Sequence, residues 1–134
     1  MTEEILKFTK LTFIVHFVVA LIFTILFFIP DISGPLSLNN VSAETHAMSL
    51  TIASLFAGLT VSSLCGMLAK EWKQVKFIVI LEVVWLTANL ITTIINFTVL
   101  TLTMAILSLL VSIIMLVLFL LTFLQQEEKM KALF

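Results

Sequence analysis

The stretch KFIVILEVVWLTANLITTIINF, residues 76–97, decides the fold of this chain. A helix of about 20 apolar residues crosses a bilayer hydrocarbon core of about 30 Å, so this stretch has the length of one span. It also contains Glu82, the one charged residue that lies inside an apolar segment. Because a charge at membrane depth is costly, it usually faces a bundle interior or a wet cavity. We therefore predict a transmembrane helix whose Glu82 side chain points toward other helices.

The polar residues of this predicted helix fall on one face. At 3.6 residues per turn, that face carries Glu82, Trp85, Asn89, Thr92, Thr93 and Asn96. In lipid an unsatisfied polar group costs several kcal/mol, so the face must turn inward toward other helices. Two interpretations stay open. The amides and hydroxyls pin helices together, or they join Glu82 in binding a ligand or a proton.

The composition indicates an integral membrane protein of one domain. Of 134 residues, 61% are hydrophobic and 11% are charged, against about 25% charged in a typical soluble domain. The longest segment outside the apolar runs, residues 30–46, is too short for a soluble domain, so residues 1–134 form one unit. The net charge of −1 gives no reason to expect a nucleic-acid partner.

The apolar runs predict an all-α fold, a bundle of four transmembrane helices at about residues 11–29, 47–69, 77–95 and 99–124. Pro30 is expected to end the first helix, because proline cannot continue the hydrogen-bond ladder. Residues 31–45 are rich in Ser, Asn, Gly and Pro, which predicts the one substantial loop. We place the break between the last two helices at residues 96–98, the most polar point of a long apolar run.

The lysines predict the orientation of the bundle. All seven lie in the N-terminal segment, in the connection between the second and third helices, or in the C-terminal tail. Cytoplasmic segments carry an excess of lysine and arginine, so both termini are predicted to lie in the cytoplasm. We expect a multi-pass protein of the plasma (cell inner) membrane.

The second predicted helix carries a stripe of small residues. The stripe consists of Ser54, Gly58, Ser62 and Gly66, spaced four apart. Small residues at this spacing let another helix approach at backbone distance. We predict a close-packed seam along the stripe. The sequence leaves open whether the partner helix is internal or belongs to another chain.

Residue counts place a histidine at the depth of Glu82. The predicted topology makes the first and third helices parallel, and His16 and Glu82 each lie about five residues, or roughly 8 Å, inside their spans. We predict a polar cluster of His16, Glu82, Ser62 and Trp85, with Asn89 one turn deeper. A histidine and a glutamate in apolar surroundings can share a proton or form an ion pair.

The sequence shows no pattern typical of an enzyme. It has no Ser/His/Asp set, no paired acids within the spans and no glycine-rich phosphate loop. Two histidines and one cysteine are too few and too scattered for a metal site. We therefore predict no catalytic residues, no metal and no cofactor.

The overall layout resembles a known group of membrane proteins. The features are four spans, a proline-containing outer loop, a small-residue second helix reading SLFAGLTVSSLCGMLAKEW and a short basic hairpin after it. Together they look like the small four-helix bacterial membrane proteins grouped as DoxX-like. The resemblance implies a compact four-helix bundle and carries over no functional residues.

Two classes of function follow from these patterns. The first is a non-enzymatic membrane protein that binds a lipid-like or hydrophobic small molecule, or an accessory subunit of a membrane complex. Its expected partners are membrane lipids and either a larger complex or a second copy bound through the second helix. The alternative is a small proton-coupled transporter in which Glu82 carries the proton.

Overall fold

The computed structural model describes residues 4–131, and within that range the chain is all-α, as predicted. Its helices in chain order are α1 (Lys7–Phe27), α2 (Pro30–Ser37), α3 (Ala43–Leu68), α4 (Trp72–Ile95) and α5 (Leu102–Lys131). Four of them, α1, α3, α4 and α5, are long and apolar enough to cross a membrane. α1, α3 and α4 begin four or five residues before the predicted spans, whereas α5 begins three residues after its predicted start and extends seven residues beyond its predicted end.

Local side-chain contacts fix where two of the long helices begin. α3 follows Ser42, whose backbone N–H donates to Thr45 Oγ1 at 3.0 Å. α4 follows Glu71, whose backbone N–H donates to Gln74 Oε1 at 3.3 Å. In each case a side chain three residues into the helix satisfies the amide just before it, as in a capping box.

Helix α2 lies where the sequence predicted a loop. α1 ends at Phe27, and Pro30 is the first residue of α2 instead of the residue that ends the first helix. Proline suits the first position of a helix, because the N–H it lacks would have no helical partner there. The Ser/Gly/Pro composition of this segment was interpreted as turn chemistry, and that interpretation was wrong. Contacts with distant residues stabilise α2: Thr101 N–H donates to the Ser37 carbonyl at 2.9 Å.

The long helices form two closely packed pairs. α1 packs along α3, and α4 packs along α5. Contacts of α1 with α5 and of α3 with α4 close the ring, so the order around the bundle is α1, α3, α4, α5. α1 and α4 are therefore diagonal, with no Cα atoms within 8 Å of each other. Only side chains can connect these two helices across the centre.

All segments that carry lysine meet at one end of the bundle, here called the lysine end. Lys129 Nζ donates to the Glu4 carbonyl at 3.0 Å. Lys76 Nζ lies 2.8 Å from Glu127 Oε1, which also accepts a hydrogen bond from Trp72 Nε1 at 2.7 Å. The start of α1, the start of α4 and the end of α5 are thereby held together. α2 covers the opposite end, here called the α2 end.

A buried glutamine ties the N-terminal segment to α5. The Gln126 side chain is 0% exposed. Its Oε1 accepts hydrogen bonds from Leu6 N–H at 3.0 Å and Thr9 Oγ1 at 3.2 Å, and its Nε2 donates to the Glu4 carbonyl at 3.1 Å. Because Oε1 and Nε2 both have partners, this side chain is satisfied despite its burial.

The predicted small-residue seam is not continuous. A Cβ atom at Gly66 would lie 2.5 Å from Phe13 Cδ1, so α1 and α3 approach closely there. A Cβ atom at Gly58 would meet nothing within 4 Å, and the exposed Ser54 donates to the carbonyl of Thr51 on its own helix. Four residues advance a helix by about 40° more than one turn, so a stripe at this spacing winds off the buried face. The prediction of one seam through Ser54 and Gly58 is wrong for contacts within this chain.

Candidate functional site

His16 on α1 and Glu82 on α4 meet at the centre of the bundle. Glu82 is 0% exposed and His16 is 4% exposed. His16 Nε2 lies 3.5 Å from Glu82 Oε2. Ser62 of α3 donates to Glu82 Oε1 at 3.0 Å. The structure thus brings together three of the predicted cluster residues, although α1 and α4 lie diagonally across the bundle.

Ser63 is a partner of this cluster that the sequence analysis missed. His16 Nδ1 lies 2.6 Å from Ser63 Oγ, and Ser63 Oγ donates to the carbonyl of Leu59 at 2.9 Å. With its proton on Nδ1, His16 donates to Ser63 Oγ; with its proton on Nε2, it accepts from Ser63 Oγ instead.

His16 Nε2 and Glu82 Oε2 face each other across the same buried site. Within residues 4–131, Glu82 Oε2 has no hydrogen-bond partner, and His16 Nε2 lies 3.5 Å away. Two unprotonated acceptors facing each other would leave both groups uncompensated in a buried site. We therefore expect a proton on Nε2 or on Oε2, held between the two groups.

Asn89 belongs to a different network, between α4 and α5. Its Nδ2 donates to Ser112 Oγ at 2.7 Å and to Ser108 Oγ at 3.3 Å. Thr93 Oγ1 lies 3.0 Å from Ser108 Oγ. Thr92 Oγ1 donates to the carbonyl of Asn89 on its own helix. These contacts connect α4 to α5, as expected if the polar groups of Asn89 and Thr93 hold the helices together.

A cavity of about 530 Å³ adjoins both networks and reaches the α2 end. His16, Trp85 and Asn89 all line it, and Trp85 makes no hydrogen bond to His16, Glu82 or Ser62. Aromatic rings form part of the wall: the Phe23 and Phe56 rings stack with centroids 5.2 Å apart. This cavity could not be predicted from the sequence, because its size depends on the spacing between the two helix pairs.

The buried serines at the α2 end of the cavity were also not predicted from the sequence. Ser33 and Ser49 are buried, with their Oγ atoms 2.5 Å apart, and Ser49 donates to the Phe27 carbonyl at 2.9 Å. Ser37 lines the cavity and is 7% exposed, and its Oγ has no hydrogen-bond partner among residues 4–131. The signal available in the sequence was the serine content of residues 31–45, which was attributed to a loop.

Metal binding finds no support in residues 4–131, where no three His, Cys, Asp or Glu side chains lie close enough together to hold an ion. The second histidine, His46, lies at the α2 end with its Nε2 3.8 Å from Asp31 Oδ1. The chain matches no family model, no curated protein and no solved structure.

Proposed function

We propose that the chain is a multi-pass membrane protein with both termini in the cytoplasm, and we expect it in the plasma (cell inner) membrane. Four helices of spanning length and apolarity support insertion. The gathering of every lysine-bearing segment at the lysine end supports the orientation, since positively charged segments stay on the cytoplasmic side. The DoxX-like resemblance stays a prediction and carries no part of this argument.

We further propose that this protein is not an enzyme and that it binds a hydrophobic or lipid-like small molecule between its helix pairs. The cavity of about 530 Å³ is the observation that carries this proposal. Ligand sites are usually concave, mostly apolar and about 300–1,000 Å³ in volume, with a few polar groups that orient the ligand. Apolar rings with His16, Asn89 and Ser37 at the wall match that description.

Filling the cavity tests this function. Val19 lines the cavity, whereas its neighbour Val18 is 48% exposed on the outer side of the same helix. We expect Val19→Phe to lose a small molecule that copurifies with the wild type and is seen by native mass spectrometry. Val18→Phe adds the same ring outside the cavity and should retain it. An empty wild-type protein, or equal occupancy in both variants, contradicts the proposal.

The accessory-subunit role remains a second proposal of the same class. Ser54 and Gly58 face away from the rest of the chain, which leaves that part of α3 free to contact a subunit of a larger complex or a second copy. Pull-down of the tagged wild type from its native membrane, compared with Gly58→Leu, tests it. Loss of a specific subunit, or of a homo-oligomer, in the variant is the expected result.

A proton-coupled transporter is the alternative function. The specific observation in its favour is that Glu82 Oε2 lies 3.5 Å from His16 Nε2, and His16 in turn lines the cavity. A molecule in the cavity would therefore lie next to a proton-binding group. We expect Glu82→Gln to abolish proton-coupled flux in reconstituted vesicles if transport is the function, with Thr87→Ser on the exposed side of α4 as the control. Absence of flux in the wild type leaves the binding function.

A further inference from the structure

The exposed residues of the cavity wall locate its mouth. On α1 and α5 every residue that lines the cavity is buried or half-buried. On α3, Met48 and Leu55 line the cavity and are exposed, with 61% and 49% of their surface accessible. On the opposite side, Thr92 of α4 and Asn96 at its end are also exposed lining residues, as are Asn40 and Val99 in the connections at the α2 end. The cavity therefore opens between α3 and α4 and toward the α2 end.

Part of this mouth, at Leu55, lies on the side of the bundle. α3 and α4 are both of spanning length, and they are joined only at the lysine end by the short connection at residues 69–71. In a membrane, that part of the gap between them faces acyl chains. A molecule that enters there must first dissolve in the bilayer.

The wall of the cavity selects against a charged molecule. His16 is the one lining residue with an ionisable side chain, and its ring nitrogens lie 2.6 Å from Ser63 Oγ and 3.5 Å from Glu82 Oε2. A phosphate or carboxylate in the cavity would lose its hydration without gaining a cationic partner, which is strongly unfavourable. A neutral polar group has no such penalty once it is hydrogen-bonded.

Ser37 supplies the partner for such a neutral group. Its Oγ is buried at the cavity wall and has no hydrogen-bond partner within residues 4–131. Buried hydroxyls are nearly always paired, so an unpaired one at the wall of a cavity is available to a molecule that enters the cavity. A hydroxyl can donate to a ligand carbonyl or accept from a ligand hydroxyl.

We propose that the cavity binds an uncharged single-chain amphiphile that enters from the bilayer between α3 and α4 and hydrogen-bonds Ser37 Oγ through a hydroxyl or carbonyl group. Its chain lies along the aromatic wall formed by Phe23 and Phe56. A volume of about 530 Å³ suits one chain and not the two chains of a membrane phospholipid. This inference rests on the binding function proposed above and names its ligand class.

Trp85 provides the readout, because it lines the cavity and bromine atoms quench tryptophan fluorescence on contact. The protein is reconstituted in phosphatidylcholine vesicles and titrated with a monoacylglycerol that carries a dibrominated chain. The matched charged probe is a lysophosphatidylglycerol with the same chain. We expect saturable quenching by the neutral probe, reversed by its unbrominated form, and only gradual, non-saturable quenching by the charged one. Trp85→Phe should lack the saturable part.

Two serine variants, one at the cavity wall and one outside it, test the head-group contact. Ser37→Ala should weaken binding of the neutral probe about three- to tenfold, which corresponds to the free energy of one hydrogen bond. The variant removes a hydroxyl that has no hydrogen-bond partner within residues 4–131, so the free energy of unfolding should not fall. Ser54→Ala, which removes an exposed hydroxyl bonded to its own helix, should leave the affinity unchanged.

The outcomes separate this inference from the function on which it rests. Saturable binding of the charged probe with equal affinity overturns the neutral ligand class but leaves a binding cavity. Unchanged affinity in Ser37→Ala overturns the head-group contact. Absence of saturable quenching by either probe, together with an empty wild type in native mass spectrometry, rejects the binding function itself.

Discussion

Glu82 and His16 are the two buried ionisable side chains at the centre of the bundle, and each is the other's polar neighbour. Removing the carboxylate by Glu82→Ala leaves His16 Nε2 without a polar neighbour, so we expect the free energy of unfolding to fall by about 1–3 kcal/mol. His16→Ala should cost a similar amount. The double variant should be destabilised by less than the sum, because the interaction can be lost only once. Thermal unfolding in detergent, followed by circular dichroism, measures all three.

A matched cycle on α4 controls for general loss of packing. Thr87 is exposed and its hydroxyl bonds only the Val83 carbonyl of its own helix, so Thr87→Ala and His16→Ala should be additive. Additivity of Glu82→Ala with His16→Ala would falsify the coupling and show that each residue is stabilised separately.

Sequence reasoning reached this pair but not all of its partners. Lysine placement made the first and third spans parallel, and residue counts then gave His16 and Glu82 the same depth. Ser63 was missed, because its contact with His16 joins residues that lie far apart in the chain and depends on the rotation of each helix about its axis. Depth follows from counting along one helix, whereas rotation is set by packing against all the others.

Helix α3 contains two glycines that differ in surroundings. Gly66 faces the ring of Phe13, which a new Cβ would approach to 2.5 Å, whereas Gly58 faces open space. We expect Gly66→Ala to separate α1 from α3 and to destabilise the bundle by about 1–3 kcal/mol. Gly58→Ala should be neutral or stabilising by up to about 1 kcal/mol, since alanine favours a helix. Unfolding midpoints in the same detergent compare the two variants.

The reverse order of stability, with Gly58→Ala the more damaging, would indicate that α3 packs through the opposite face. The sequence showed four small residues but not which of them lie against α1, because the spacing of four does not match the helical repeat. The length and apolarity of the segments were sufficient to predict the four long helices. They were not sufficient for α2, whose eight residues depend on contacts with α3 and α5.

At the scale of the whole molecule, the proposed orientation is open to a direct chemical test. Cys65 is the one cysteine, so a Cys65→Ser background permits single labels. A cysteine at Asn39, beside α2, should react with a membrane-impermeant maleimide in intact cells. A cysteine at Lys73, at the lysine end, should react only after the membrane is permeabilised. Labelling of Lys73→Cys in intact cells, with Asn39→Cys protected, would show the opposite orientation.

The division of the bundle into the pairs α1 with α3 and α4 with α5 has a consequence for assembly. Residues 69–71 are the one covalent connection between the pairs within the described chain, and each pair has both of its ends at the lysine end. Two polypeptides cut between Lys70 and Glu71 could therefore each insert as a helical hairpin with its own lysines inside. We expect fragment complementation: coexpressed halves should reassociate and restore the cavity, and Glu82→Ala in one half should weaken their association.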